Sequence, residues 1–163
     1  MYLIDANVFI QAKNLYYRFS SFPGFWEWLD IEQQNSRIAS VIPIQKELTD
    51  GKDELAQWAK DRSGINWFLP VDDESTQQSF REIVNLVAGQ SFTQRVKDIF
   101  LDRADPWLIA KAIQLDAAVI THEKYDPKCK RKILIPNVCK AFNVNYMDVY
   151  DLINTLGASF GLR

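Results

Sequence analysis

Four acidic residues occupy positions from which they could bind a divalent cation together: Asp5, Glu47, Asp105 and Glu123. Asp5 directly follows a short apolar run, Glu123 follows the run AAVIT, and Asp105 precedes the apolar segment that leads into AAVIT. In parallel α/β sheets ligands bind outside the carboxyl ends of the strands, where such acids would lie. Carboxylate oxygens suit Mg²⁺ or Mn²⁺, which activate water and stabilise the charge on a transferring phosphoryl group. The acids therefore predict metal-dependent phosphoryl-transfer chemistry.

Each acid taken singly has a simpler explanation. Asp105 stands before Pro106 and could cap a helix, while Glu47 could be a solvated residue beside the apolar stripe of its helix. Asp5 differs, because a charge directly after a buried strand needs a counter-charge or a metal. Four acids in one crevice would repel one another and raise their own pKa values unless a cation neutralised them. We expect the Glu47 side chain to point along the edge of the sheet rather than into open water.

The single histidine, His122, and the two cysteines, Cys129 and Cys139, leave few alternatives to carboxylate chemistry. They lack the spacing of a structural zinc site and disfavour a Cys/His or Ser/His nucleophile. Cysteines without CxxC spacing are expected to be reduced thiols, as in the cytoplasm. No apolar run approaches the roughly 18 residues that cross a bilayer, and the first residues include no basic segment. The prediction is a cytoplasmic protein that does not contact a membrane.

The elements that must position these acids follow from the apolar pattern. Short apolar runs alternate with longer segments of helical periodicity, which is typical of an α/β fold. Buried parallel strands are predicted at residues 2–4, 37–40, 66–69, 118–121 and 145–146, and an amphipathic helix at 73–88. A buried helix is expected from Pro106, and two short helices from Pro136 to the end. At 163 residues the chain should form a single domain, with a core of about 1–124 and a basic loop and helical extension over 125–163.

The segment SSFPGFWEWL is dense in aromatic residues and begins like a helix, with Ser and Pro at its start. Phe25, Trp28 and Leu29 fit one helical face, which is typical of a protein core. Phe22 and Trp26 lie off that face, so a second interpretation has these outer rings docking a partner protein. Stacking against nucleic-acid bases is the third interpretation.

Five basic residues crowd one stretch of a chain whose net charge is −2. On its own such a run is typical of a solvated surface turn. Beside a metal site it could instead guide the phosphate backbone of a nucleic acid toward the acids. The candidate RNA-contacting residues of this basic loop are Lys124, Lys128, Lys130, Arg131 and Lys132.

The pieces DANVFI, PIQKEL, ADPWLIAKA and VITHE resemble, in order and spacing, the motif series of PIN-domain ribonucleases. The resemblance covers roughly residues 1–124. It implies a three-layer α/β/α fold with a central, mainly parallel sheet, and metal-dependent cleavage of RNA phosphodiesters. The opening YLIDANVFIQAKNLYY, the block FPGFWEWL and the tail from Ile133 resemble, more narrowly, a PIN-like subgroup of prokaryotic proteins labelled only as a domain of unknown function.

Carried over residue by residue, the resemblance assigns the catalytic and Mg²⁺- or Mn²⁺-binding roles to the four acids: Asp5, Glu47, Asp105 and Glu123. Asn7 and Thr121 resemble the polar positions that orient an acid or a water in that family. The likeness extends to VapC-like toxins of toxin–antitoxin pairs, which implies an antitoxin protein covering the acidic crevice. Homodimerisation is a further expectation from the family, with the aromatic block around Trp26 as one candidate surface.

The chain departs from the pattern at Glu123, because many VapC-like toxins have an aspartate there. Its longer side chain leaves one-metal and two-metal operation open, and Asp102 and Asp126 are spare acids that could join the site or cap local turns. A haloacid dehalogenase-like phosphatase would need a second acid where Asn7 stands. A response-regulator receiver would need an acidic pair at the first strand and a lysine at the end of the fifth strand, and neither is evident. The alternative kept open is a catalytically silent PIN-like module that binds RNA or protein, which would predict the loss of one or more acids.

Overall fold

The computed structural model describes residues 1–162, so the last residue of the predicted extension, Arg163, lies outside the described residues. Its strands are β1 (Tyr2–Ile4), β2 (Ile38–Val41), β3 (Phe68–Leu69), β4 (Ala118–Ile120) and β5 (Tyr146–Met147). Its helices are α1 (Ala6–Gln11), which continues as a π-helix over Ala12–Tyr16, α2 (Pro23–Gln34), α3 (Ile42–Thr49), α4 (Glu54–Lys60), α5 (Glu74–Ala88), α6 (Gln94–Asp102), α7 (Asp105–Leu115), α8 (Ile135–Ala141) and α9 (Val149–Thr155). Each predicted strand is present, with its bounds shifted by two residues or fewer.

The five strands form one sheet in the order β3-β2-β1-β4-β5, and all neighbouring pairs are parallel. All four residues of β2 are buried, which is typical of a strand covered by helices on both faces. The helices that surround the sheet complete a three-layer α/β/α architecture. The predicted fold class is therefore confirmed.

The order of the strands creates a switch point at the centre of the sheet. From β1 the chain builds outward through β2 and β3 on one side, and then returns to add β4 and β5 on the other side. In register, Ile4 of β1 lies opposite Ile120 of β4. The residues that follow these two strands therefore emerge side by side, in the crevice where parallel α/β proteins bind ligands.

Aromatic side chains fill one part of the core. Phe9 contacts Trp58 and Trp67, and Trp58 in turn contacts Trp26, with ring centroids 5.1 to 5.8 Å apart within this group. Trp107 lies apart from this cluster, stacked on Phe80 of α5 at 3.7 Å. Such ring pairs add roughly 0.5–1.5 kcal/mol each beyond the burial of their area.

The interpretation of Trp26 as an outer, partner-docking ring is wrong. Its side chain is only 4% exposed, stacks on Phe19 at 4.0 Å, and donates its indole N–H to the Tyr17 carbonyl at 2.7 Å. The turn before α2 folds back over the helix, so a ring that lies off the main apolar face still finds a buried partner. Phe22, at 37% exposure, keeps an outer position.

Two local expectations about helix ends can be compared with the structure. Asp105 is the first residue of α7 and Ala104 holds the capping position, so the simple explanation of Asp105 as an N-cap is wrong. The last helix ends before Gly157, whose positive φ of 67° favours glycine, as expected. Over residues 1–162, no helix has both the length and the apolar character needed to cross a membrane.

Candidate active site

Asp5 lies at the carboxyl end of β1 and is 1% exposed. Its amide donates to the Ile120 carbonyl at 2.9 Å, which extends the ladder between β1 and β4 by one residue. The Thr121 hydroxyl donates to Asp5 Oδ2 at 3.2 Å and accepts from the Glu123 amide at 3.1 Å. Thr121 therefore links the Asp5 carboxylate to the loop that carries Glu123.

Asp105 begins α7 and is 8% exposed, so it faces the crevice rather than the solvent. Glu47 approaches from α3, where its Oε1 accepts from the Ala104 amide at 3.0 Å. This bond satisfies one of the backbone donors left unpaired at the start of α7. The residue is exposed, contrary to the expectation that it avoids open water, but its carboxylate accepts from Ala104 and so holds the turn that presents Asp105.

Glu123 carries the least satisfied carboxylate of the group. Both of its oxygens are buried and have no hydrogen-bond partner among the described residues. Lys132 Nζ lies 3.4 Å from Glu123 Oε1, which is an ion pair without the geometry of a hydrogen bond. A buried carboxylate without donors is costly, because desolvation of the charge is not compensated.

The acids act on each other electrostatically. Burial, followed by the nearby charges of Asp105 and Glu123, raises the pKa of Asp5 from 3.8 to about 8. Burial, followed by the charges of Glu123 and Glu47, raises the pKa of Asp105 from 3.8 to about 6. Both carboxyl groups therefore hold their protons at a higher pH than ordinary aspartates, and a bound cation would favour their ionised forms.

The donor set fits a hard divalent cation by its chemistry, because it offers carboxylate oxygens, two of them orphaned on Glu123, and no sulfur or imidazole. The side chains are nevertheless spread apart. Within the part of the chain that the structure describes, no three Asp, Glu, His or Cys side chains are close enough to hold one metal ion as they stand. A bound ion would have to draw the carboxylates together against their repulsion.

The remaining predicted site residues divide into two groups. Asn7 is exposed on the first turn of α1, and no hydrogen bond joins its side chain to the acids anywhere in residues 1–162. Of the basic loop, Lys132 turns inward to Glu123 and Lys130 lies 5.1 Å from the Phe92 ring. The other cations of the loop, which are exposed, are Lys124, Lys128 and Arg131.

Asp126 has a structural role in the basic loop. Its Oδ1 accepts from the Lys128 amide at 3.0 Å, and its own amide donates to Asn137 Oδ1 at 3.1 Å. The Asn137 side-chain amide also donates to the Asp126 carbonyl at 2.8 Å. These bonds tie the loop to α8 and hold its cations in place, so Asp126 is a turn residue and not an additional acid of the site.

Arg103 is a site residue that the sequence did not reveal. Its charge and that of Lys132 both lower the pKa of Asp105, against the raising effect of burial. A signal was present, because Arg103 stands two residues before Asp105. A single arginine near a helix start has many other uses, however, and its role depends on the way α6 meets α7.

The comparisons with known proteins add the following findings. A family model described as "Domain of unknown function (DUF4411)" matches residues 2–160. No curated protein matches the chain.

Proposed function

Because the chain belongs to the DUF4411 family, a domain of unknown function, its family supplies no activity, and we propose from its acidic site that it is a Mg²⁺- or Mn²⁺-dependent ribonuclease. The observation that carries the proposal is the set of buried acids at the switch point of the sheet. Asp5 and Asp105 each have a pKa raised by burial and by their acidic neighbours, and Glu123 has two buried oxygens without donors. Such strongly perturbed carboxylates in a crevice are typical of functional sites.

In the proposed site each side chain has a separate task. Asp5, Asp105 and Glu123 would bind the cation, which supplies positive charge to the carboxylates and to the phosphoryl oxygens of the substrate. Thr121 orients Asp5 through its hydroxyl, and Glu47 holds the Ala104 amide so that Asp105 stays aimed at the crevice. Buried walls limit the access of bulk water and strengthen these electrostatic interactions.

RNA as the substrate is supported by two features. The motif series resembles that of PIN-domain ribonucleases, and the basic loop lies directly after Glu123. An acidic chain with a net charge of −2 has no general attraction to nucleic acid, so a local cluster of cations has to supply it. Loop cations that contact phosphates would position the strand without selecting its sequence.

The direct test is cleavage of a labelled single-stranded RNA by the purified protein with Mg²⁺, with Mn²⁺ and with a chelator. Cleavage is expected only with a divalent cation, and Asp5→Asn should abolish it. Asp98→Asn is the matched control, because this exposed acid lies on α6 and bonds only to Gln94. Equal cleavage by the wild type and Asp5→Asn would reject the proposal. Metal-independent RNA binding without any cleavage would favour the binding module instead.

A further inference from the structure

A small cavity of about 190 Å³ adjoins the group of acids and includes Asp105 in its lining. One wall of the cavity is apolar and is formed by α6 and the end of the basic loop. This apolar wall consists of Val96, Ile99, Phe100 and Ile133. Ile99 is 43% exposed, so the wall is open to a ligand rather than sealed in the core.

The opposite side of the cavity is cationic, with Arg103, Arg131 and Lys132 in its lining. Neither arginine forms an ion pair or a side-chain hydrogen bond within residues 1–162, and Lys132 pairs only with Glu123. With Asp105 in the lining and Glu123 paired to Lys132, three cations stand against two carboxylates, so the cavity keeps a net positive charge. Arginine side chains with unused donors are well suited to phosphate, which they can bind through two parallel hydrogen bonds.

From this pairing of surfaces we infer that the cavity is a subsite for one nucleotide of the RNA strand, next to the bond that is cleaved. The inference rests on the proposed ribonuclease function and adds the ligand to it. The phosphate of that nucleotide would contact the cationic side, and its base would lie against the apolar wall around Ile99.

The size of the cavity supports a single nucleotide. Pockets for drug-sized ligands usually span about 300–1,000 Å³, so a cavity of about 190 Å³ accepts one small group at depth and leaves the rest of a strand at its mouth. A cavity of this volume suits one unpaired base better than a base pair. Inorganic phosphate alone would contact the cationic side chains but would bury none of the apolar wall.

The test measures the binding of the four nucleoside 5′-monophosphates and of inorganic phosphate to the wild type in a chelator, by calorimetry. At least one nucleotide should bind about tenfold or more tightly than phosphate, because it adds apolar burial to the ionic contacts. Arg103→Gln should weaken nucleotide binding by about tenfold or more, through loss of a charged hydrogen bond. The matched control is Arg95→Gln, an exposed arginine on α6 outside the cavity, which should bind like the wild type.

A second variant tests the apolar wall. Ile99→Trp fills the cavity from an already exposed position, so it should fold normally, lose the preference for nucleotide and keep the binding of phosphate. Equal affinity for phosphate and nucleotides, or equal loss in Arg95→Gln and Arg103→Gln, would overturn the subsite.

The proposed nucleotide subsite and the proposed ribonuclease activity can be disproved separately. If the wild type cleaves RNA with a metal and both Arg103→Gln and Ile99→Trp keep its KM, the subsite is wrong and the ribonuclease stands. If nucleotides bind as expected and no metal supports cleavage, the ribonuclease is wrong and the nucleotide site stands.

Discussion

Two positions on α7 place acidic groups in opposite surroundings. At its N-terminus, Asp105 faces Asp5 and other acids, and burial raises the pKa of Asp5 to about 8. Six residues further on, in the middle of the helix, the Lys111 ammonium donates at 2.9 Å to Oδ1 of Asp73, which lies at the start of α5. The side-chain hydrogen bond from Lys111 and the Thr76 amide lower the pKa of Asp73 to about 2. The same residue type is a satisfied structural group in one place and an unsatisfied one in the other.

The contrast shows that the hydrogen-bond and charge partners of an aspartate decide whether its ionised form stabilises the fold. Asp73 caps α5 and neutralises a lysine that is only 7% exposed, so its ionised form stabilises the fold. Asp5 has one hydroxyl donor and two acidic neighbours, so its ionised form opposes folding at neutral pH. Acids with pKa values perturbed in this way cluster at functional sites of proteins.

The largest expected effect is on cleavage. Asp105→Asn should reduce the rate of RNA cleavage by several orders of magnitude, because the acids act as one unit around the cation. Asp73→Asn should change the rate by no more than a few fold. The double variant Asp5→Asn with Asp105→Asn should cleave RNA only slightly more slowly than either single variant. Single-turnover rates at saturating Mn²⁺ measure this, and additive losses would contradict shared action.

The next effect is the pH dependence of stability without metal. Between pH 3.8 and about 8 the folded state holds the Asp5 proton more tightly than the unfolded state, so the free energy of unfolding should rise as the pH falls. From pH 8 to pH 5 the gain should be on the order of 3 kcal/mol, since each pKa unit is worth about 1.4 kcal/mol. Urea denaturation in a chelator measures it. Asp5→Asn should flatten the profile, and an unchanged slope in this variant would contradict the assignment.

A somewhat smaller effect is expected from metal binding. Saturation with Mn²⁺ at about one hundred times its Kd should stabilise the wild type by roughly 2.7 kcal/mol, because the ion binds only the folded state. Thermal denaturation with and without Mn²⁺ measures the shift, with Asp98→Asn as the control that keeps it. Asp5→Asn should lose most of the shift. An equal shift in Asp5→Asn would show that the metal ion binds at another site.

The smallest effect belongs to the ion pair between Asp73 and Lys111 in the middle of α7. Asp73→Asn should cost about 1 kcal/mol at pH 7, a modest figure because the carboxylate is partly exposed and screened by solvent. The stabilisation from a lowered pKa is present above pH 3.8 and is lost as the pH falls toward 2, opposite in sign to that of Asp5. Urea denaturation at pH 7 and pH 2.5 checks this. A cost that persists unchanged at the lower pH would show that the charge of Asp73 is not responsible.

The sequence predicted the strands and the acids at their ends better than the contacts between side chains. Apolar runs revealed the strands, and acids at the ends of β1 and β4 were correctly expected on neighbouring strands. The bond from Glu47 to the Ala104 amide joins residues 57 positions apart, and no local pattern encodes such a contact. The burial of Trp26 depends on the turn that carries Phe19, which periodicity does not describe. The antitoxin, the homodimer and the number of metals stay predictions.

The placement of the tryptophans has a spectroscopic consequence. Trp26, Trp58 and Trp67 contact one another's rings or share neighbours, and Trp28 contacts Phe25 in the same aromatic region. Trp107 stands apart on Phe80, two residues after Asp105 on α7. A protein that keeps Trp107 and has Phe at the other four positions would therefore carry a single fluorophore in the first turn of α7, stacked on Phe80. Its emission would follow events at the start of α7 without interference from the aromatic core.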